Sequence, residues 1–276
     1  MGEDGGVTGL HLHASGPEDG EPVVLVHGSF STGPATFPAL RPLRDRYRLL
    51  VVDRRGYGGS PAAAPGVAGW PVDRDDVAAL LEELGGAHLV GHSYGGVVAL
   101  LVAGARPDLV RSLVVVEPPL FAISRHPEAV ALTAALDDLR AQGAHLDIRE
   151  YTTRFFWTLT RTPREDVERF TSGWSDADWA AAEASRREEP PMRAPVDLAA
   201  LRALTAPQVV ATGGWPAELA GEGTRCGEAF AAVADQVAAG TGAERVVFEH
   251  STHSPQLTEP KGVAALLRRT WEAAAR

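Results

Sequence analysis

A single cysteine, Cys226, occurs among the 276 residues of the chain. One thiol can form neither an internal disulfide nor a Cys-rich metal site, which excludes a disulfide-stapled fold and fits a reducing compartment. Cys226 is read as structural. Long apolar runs are missing as well. Runs such as Leu113 to Val116 and its neighbours fall far short of the ~20 residues that a membrane-spanning helix needs. The start Met1-Gly2-Glu3-Asp4-Gly5-Gly6 is acidic and has neither the basic nor the apolar stretch of a secretory leader, so a cytoplasmic location is expected. Basic residues are outnumbered, 26 Lys and Arg against 36 Asp and Glu, for a formal charge of −10. Nucleic acid and anionic membranes are therefore not expected as partners, since binding to either rests on clustered cations. Heptads, internal repeats and charged tails are also absent, which leaves nothing to suggest an interaction scaffold.

What is present is the composition of a globular protein, with 45% hydrophobic and 22% charged residues, and a length that suits one core with one inserted subdomain. The heavy use of Ala, Arg, Gly and Pro resembles that of a high-GC bacterium. Short aliphatic runs recur at Val23–Val26, Leu49–Val52, His88–Val90, Leu113–Val116, Val209–Val210 and Val246–Phe248, and each reads as a buried strand. His11 and His13 alternate in an expected edge strand and are assigned no function. Amphipathic stretches such as Asp75–Leu84 and Gly95–Ala105 lie between the strands. Strand and helix alternate, which predicts a parallel sheet with helices on both faces, because a parallel crossover needs a long connection.

That rhythm breaks between about Leu120 and Ala206. Residues 1–119 and 207–276 read as two parts of one core, and 120–206 as a helical insertion. The insertion carries Phe155, Phe156, Trp157, Phe170, Trp174 and Trp179. These rings either line a pocket or form the insertion's own small core.

The segment Gly91-His92-Ser93-Tyr94-Gly95 is a Gly-x-Ser-x-Gly pattern lying directly between a predicted strand and a predicted helix. A serine on such a sharp turn exposes its hydroxyl, and the following amide, at the helix start, can donate to a developing oxyanion. With this turn in view, the chain resembles the α/β-hydrolase superfamily in four segments that occur in the family's order. These are Val23–Phe30 with its His27-Gly28 turn, the Asp53-Arg54-Arg55-Gly56-Tyr57-Gly58-Gly59-Ser60 loop, the Ser93 turn, and His253-Ser254-Pro255 with Glu259-Pro260 following. The resemblance covers nearly all of the chain outside the insertion. It implies an α/β-hydrolase fold, a mostly parallel sheet flanked by helices, with an all-helical cap inserted after the sixth core strand. It also implies Ser93 as nucleophile, the backbone amides of Ser29 and Tyr94 as oxyanion donors, and an architectural role for the Asp53–Ser60 loop.

Of nine histidines, His253 follows the last predicted strand and precedes the closing helix, and it is the expected base. His250 is read as ending that strand, and His27 and His92 as turn residues that pack or bind loop backbone. The acid departs from the commonest family pattern. After Val209–Val210 the chain reads Ala211-Thr212-Gly213-Gly214-Trp215-Pro216-Ala217-Glu218, with no Asp. Glu117 is favoured instead, because it ends the strand Leu113–Val116 at the sheet edge where ligands bind. Glu218 stands as the alternative, with Glu222, another acid or none behind it, and Asp53 is read as a salt-bridge or turn residue.

These residues predict a serine hydrolase acting on a small-molecule ester, lactone or thioester, an apolar one to judge by the insertion's rings, through an acyl-enzyme. No metal or organic cofactor is required. The alternative is a non-hydrolytic member of the fold, a ligand-binding protein or a cofactor-free lyase or cyclase using the same pocket.

Overall fold

The computed structural model describes residues 9–63 and 68–275. The acidic start Met1–Gly6 lies outside the described residues. The strands are β1 (Leu12–Ser15), β2 (Glu21–Val26), β3 (Tyr47–Val52), β4 (Ala87–His92), β5 (Val110–Val116), β6 (Gln208–Gly213) and β7 (Glu244–Phe248). They form one sheet in the order β1-β3-β2-β4-β5-β6-β7. Every pairing is parallel except β1 with β3, so the chain enters along an antiparallel edge strand and then winds through parallel crossovers. This is the α/β-hydrolase architecture.

The aliphatic runs explain the layering. Side chains alternate across a strand, so Val24, Val26, Leu50, Val52, Leu113 and Val115 feed one core. Val23, Leu25, Leu49, Val51, Val114 and Val116 feed another on the opposite face. Strands this apolar on both faces are stable only when helices cover both. The helix Tyr94–Ala105 is not amphipathic, the pattern expected over Gly95–Ala105, but apolar nearly all round, and it is sunk in the first core. The closing helix Pro260–Ala274 covers the second, where Trp271 is fully buried and meets the Tyr47 ring edge-on at 4.6 Å. Each such fully buried side chain contributes about 1.5–3 kcal/mol of transfer free energy.

Between Val116 and Gln208 the described residues form helices only, including Pro127–Gly143, Ile148–Thr160, Arg164–Thr171 and Asp176–Arg186. This helical segment follows the fifth of the seven described strands rather than the sixth, because four strands precede Val110–Val116 among the described residues. Strand β7 ends at Phe248, so His250 does not end it. His250 sits exposed in the following turn, its amide donating to Glu259 Oε1 at 3.0 Å. No helix of the described residues is long and apolar enough to cross a membrane.

Parallel strands deliver their successors to one edge of the sheet. The residues just beyond β2, β3, β4, β5, β6 and β7 therefore gather there, and they include every residue expected at the site.

Candidate active site

Four of the five non-glycine residues with positive φ among the described residues, Phe30, Ser93, Glu117 and Trp215, sit where β2, β4, β5 and β6 end, and the fifth, Arg161, caps a helix. Non-glycine residues in the left-handed region cost energy and persist where surrounding structure imposes them, commonly at functional sites.

Ser93 has φ 53° at the start of the helix Tyr94–Ala105, and its amide donates to Val116 O at 2.8 Å. The tight crossing of strand and helix requires glycine: a Cβ on Gly95 would lie 2.2 Å from Val26 O. Gly28 is similarly constrained, since its Cβ would lie 2.9 Å from Ser93 Cβ. The turn after β2 is thus packed directly against the serine. Within that turn the amide of Phe30 is taken by Ser185 Oγ at 2.6 Å. The amides of Ser29 and Tyr94 donate to no acceptor among the described residues.

Glu117 is wholly buried. Its amide donates to Ala211 O at 2.9 Å, which fixes it at the junction of β5 and β6. Oε1 accepts from the Gly213 amide at 2.8 Å and from Trp215 Nε1 at 3.1 Å, and Oε2 lies 3.2 Å from His253 Nδ1. Glu218 and Glu222 are both exposed. The structure therefore brings Glu117, and neither alternative, to His253. Trp215 stands in the loop where the commonest pattern has its Asp, and it reaches the site as a donor to Glu117.

His253 is held from its backbone side as well, with His92 Nε2 2.8 Å from the His253 carbonyl. The Trp215 amide binds Ser251 O at 2.9 Å, which ties the β6 and β7 loops together. Burial pushes the Glu117 carboxyl up to about 8, opposed by the Trp215 and Gly213 donors and the Arg245 charge, and lowers the His253 imidazole to about 4. Both shifts favour neutral forms of the pair in the resting site.

His27 takes a backbone role, its Nδ1 2.7 Å from Gly28 O and its Nε2 accepting from the Arg54 amide at 3.1 Å. Asp53 accepts from the Gly59 amide at 3.0 Å and the Gly33 amide at 3.2 Å, and pairs with His13 at 2.9 Å. It is a turn and salt-bridge residue away from His253. Sequence reading missed Glu188 of the insertion, which reaches the Ser29 hydroxyl at 2.5 Å. Its acidic neighbourhood, Glu188-Glu189-Pro190-Pro191, gives no local signal of this contact.

Ser93 and His253 line one cavity of about 550 Å³. Phe155, Phe156 and Phe170 of the insertion line it too, with Phe155 4.4 Å from the Phe30 ring. Trp174 and Trp179 pack edge-on against each other at 4.8 Å, away from the cavity lining. The insertion's rings therefore divide: Phe155, Phe156 and Phe170 line the pocket, Trp174 and Trp179 pack half-buried on each other, and Trp157 is exposed beside Arg161. Three apolar lining residues, Phe170, Leu219 and Leu257, are 61%, 59% and 47% exposed, which makes the rim apolar as well.

A sheet of this order, with a strand-turn-helix serine and an acid and histidine converging from later strands, defines an α/β-hydrolase. Residues 23–266 match the model of the Alpha/beta hydrolase family, and the chain belongs to that family. Among curated relatives it is 34% identical over 119 residues to the AB hydrolase superfamily protein YfhM of Bacillus subtilis, covering 41% of each chain. It is 30% identical over 181 residues to Lipase LipV of Mycobacterium tuberculosis, covering 62% of this chain and 58% of that one. The chain thus spans about two fifths to three fifths of the length of these relatives. A solved thermophilic esterase from Thermogutta terrifontis shares the fold, with TM-score 0.66, 24% identity and 99% of both chains covered.

Proposed function

We propose that the protein is a serine hydrolase that cleaves an ester, lactone or thioester of a small apolar molecule through an acyl-enzyme. The observation that carries this reading is the 3.2 Å pairing of His253 Nδ1 with the buried Glu117 carboxyl, beside a cavity that His253 shares with Ser93. Ser93 Oγ attacks the substrate carbonyl while His253 Nε2 takes its proton. The amides of Ser29 and Tyr94 stabilise the oxyanion, and His253 returns the proton to the leaving group. Water activated by His253 then releases the acid. Once ionised, Glu117 keeps the imidazole in the tautomer with its proton on Nδ1 and stabilises the imidazolium as it forms.

The apolar lining supports a substrate with a hydrocarbon or aromatic acyl group, because such a pocket gains binding free energy from buried apolar area and offers few partners for charge. The names of the relatives, a lipase among them, agree with this class. The test is hydrolysis of p-nitrophenyl butyrate and octanoate by wild type and Ser93→Ala. Turnover by wild type, faster per unit concentration with octanoate, and its loss in the folded variant are expected. Equal residual turnover by both proteins would refute the reading.

A further inference from the structure

Glu188 lies just beyond the helix Asp176–Arg186, and its carboxylate is only 8% exposed. Oε1 accepts from Arg54 Nη2 and from the Tyr57 hydroxyl, both at 2.5 Å, and Oε2 accepts from the Ser29 hydroxyl at 2.5 Å. One helical turn earlier, Ser185 Oγ accepts from the Phe30 amide at 2.6 Å. Two residues of the insertion thus hold two consecutive residues of the turn after β2.

The same turn is held from its other side. Gly28 O accepts from Arg54 Nη2 at 3.2 Å and lies 2.7 Å from His27 Nδ1. The Gly28 carbonyl and the Ser29 amide belong to one planar trans peptide and point in opposite directions. Fixing the carbonyl therefore aims the Ser29 N–H away from Arg54, and the hydrogen bond from the Ser29 hydroxyl to Glu188 restrains the residue from its side chain.

A purely stabilising role accounts poorly for this carboxylate. Arg54, 1% exposed, already pairs with the buried Asp73 at 2.8 Å. A second buried carboxylate gives the cluster an excess of negative charge, and buried ion pairs often contribute less than apolar residues of equal volume. Glu188 is accounted for by what it holds.

Taking Ser29 as an oxyanion donor, as the hydrolase reading above requires, we infer that Glu188 is a positioning residue. From the helical insertion it fixes the Ser29 peptide, so the oxyanion site is complete only while the insertion is docked on the turn.

The test compares wild type, Glu188→Ala, Ser29→Ala, Ser29→Thr and the double variant Ser29→Ala/Glu188→Ala. Hydrolysis of p-nitrophenyl butyrate and inhibition by an alkyl trifluoromethyl ketone, which forms an oxyanionic adduct, are measured for each. Ser29→Ala keeps the amide and removes only the hydroxyl that Glu188 binds, so it probes the link even where Glu188→Ala folds poorly. Each alanine variant should lower kcat roughly 10- to 100-fold with little change in KM, since a displaced donor is lost chiefly in the transition state. Affinity for the ketone should fall by the same factor, Ser29→Thr should restore both, and the double variant should be no worse than the more impaired single one. A folded Ser29→Ala with wild-type kcat and ketone affinity, a loss confined to KM, or additive losses would overturn the positioning role. Labelling of wild-type Ser93 by a fluorophosphonate separates the two readings: an unlabelled wild type overturns the hydrolase reading itself, whereas labelling with unimpaired variants overturns the Glu188 role alone.

Discussion

Glu117 and His253, 136 residues apart in the chain, meet at 3.2 Å between Oε2 and Nδ1. The junction of β5 with β6 holds the acid, and the loop after β7 brings the histidine to it. Replacing Glu117 by Gln preserves shape but leaves the imidazole without the partner that fixes its tautomer. We expect kcat to fall ~10³- to 10⁴-fold, while Glu218→Gln stays within about twofold of wild type, as an exposed side chain away from the chemistry should. Steady-state kinetics on one ester decides this. The reverse ranking would move the acid to the loop after β6.

The pH profile should carry the mark of burial. With the carboxyl pushed up to about 8 and the imidazole down to about 4, we expect the pair to retain the Glu117 proton at neutral pH. A protonated carboxyl can donate to Nδ1, which places the imidazole proton on Nε2 and blocks it as a base. Raising the pH through about 8 ionises Glu117 and frees Nε2. The expected kcat/KM for a neutral ester therefore climbs above pH 7 and levels only beyond that limb, an apparent property of the coupled pair. A profile flat above pH 6.5 would contradict it.

Trp215 tunes that limb. Its indole N–H donates to Glu117 Oε1 at 3.1 Å, and a hydrogen bond to a charged acceptor is worth about 1.5–3 kcal/mol. Trp215→Phe removes a donor that favours the carboxylate, so the limb should move upward by about one to two pH units, with activity recovered at high pH. An unmoved limb would show that the indole does not stabilise the anion.

Arg54 is structural in a way that can be measured. It holds Asp73, Glu188 and the carbonyls of His27 and Gly28 from a wholly buried position. Arg54→Met would strand two buried carboxylates, and breaking a buried pair on one side costs about 3–5 kcal/mol. Urea unfolding should show a loss of that size. A loss below about 1 kcal/mol would mean that water or a relaxed loop replaces the guanidinium.

Most of this fold was legible because its signals are local. Each core strand is a run of β-branched and aliphatic residues bounded by polar turns, and the Ser93 turn places glycines at contacts that admit no side chain. The position of Glu117 could be read from a charged residue following four buried aliphatics. What stayed illegible depends on partners distant in the chain. Nothing near Glu188 in the sequence announces that it meets Ser29, and Trp215 gives no sign that its N–H points at a carboxylate. The insertion's aromatic residues show no periodicity that separates Phe155 and Phe156 at the cavity from Trp174 and Trp179 packed on each other. The strand count before the insertion was set one too high for the described residues, since the resemblance supplied it rather than the runs themselves.

The central claim is that Ser93 is a nucleophile activated at this site. Intact-protein mass spectrometry after exposure to an alkyl fluorophosphonate, followed by peptide mapping, tests it most directly. The account predicts a single adduct on Ser93 in wild type, none in Ser93→Ala, and much slower labelling in His253→Ala. Labelling at another residue, or none in a folded wild-type protein, would contradict it.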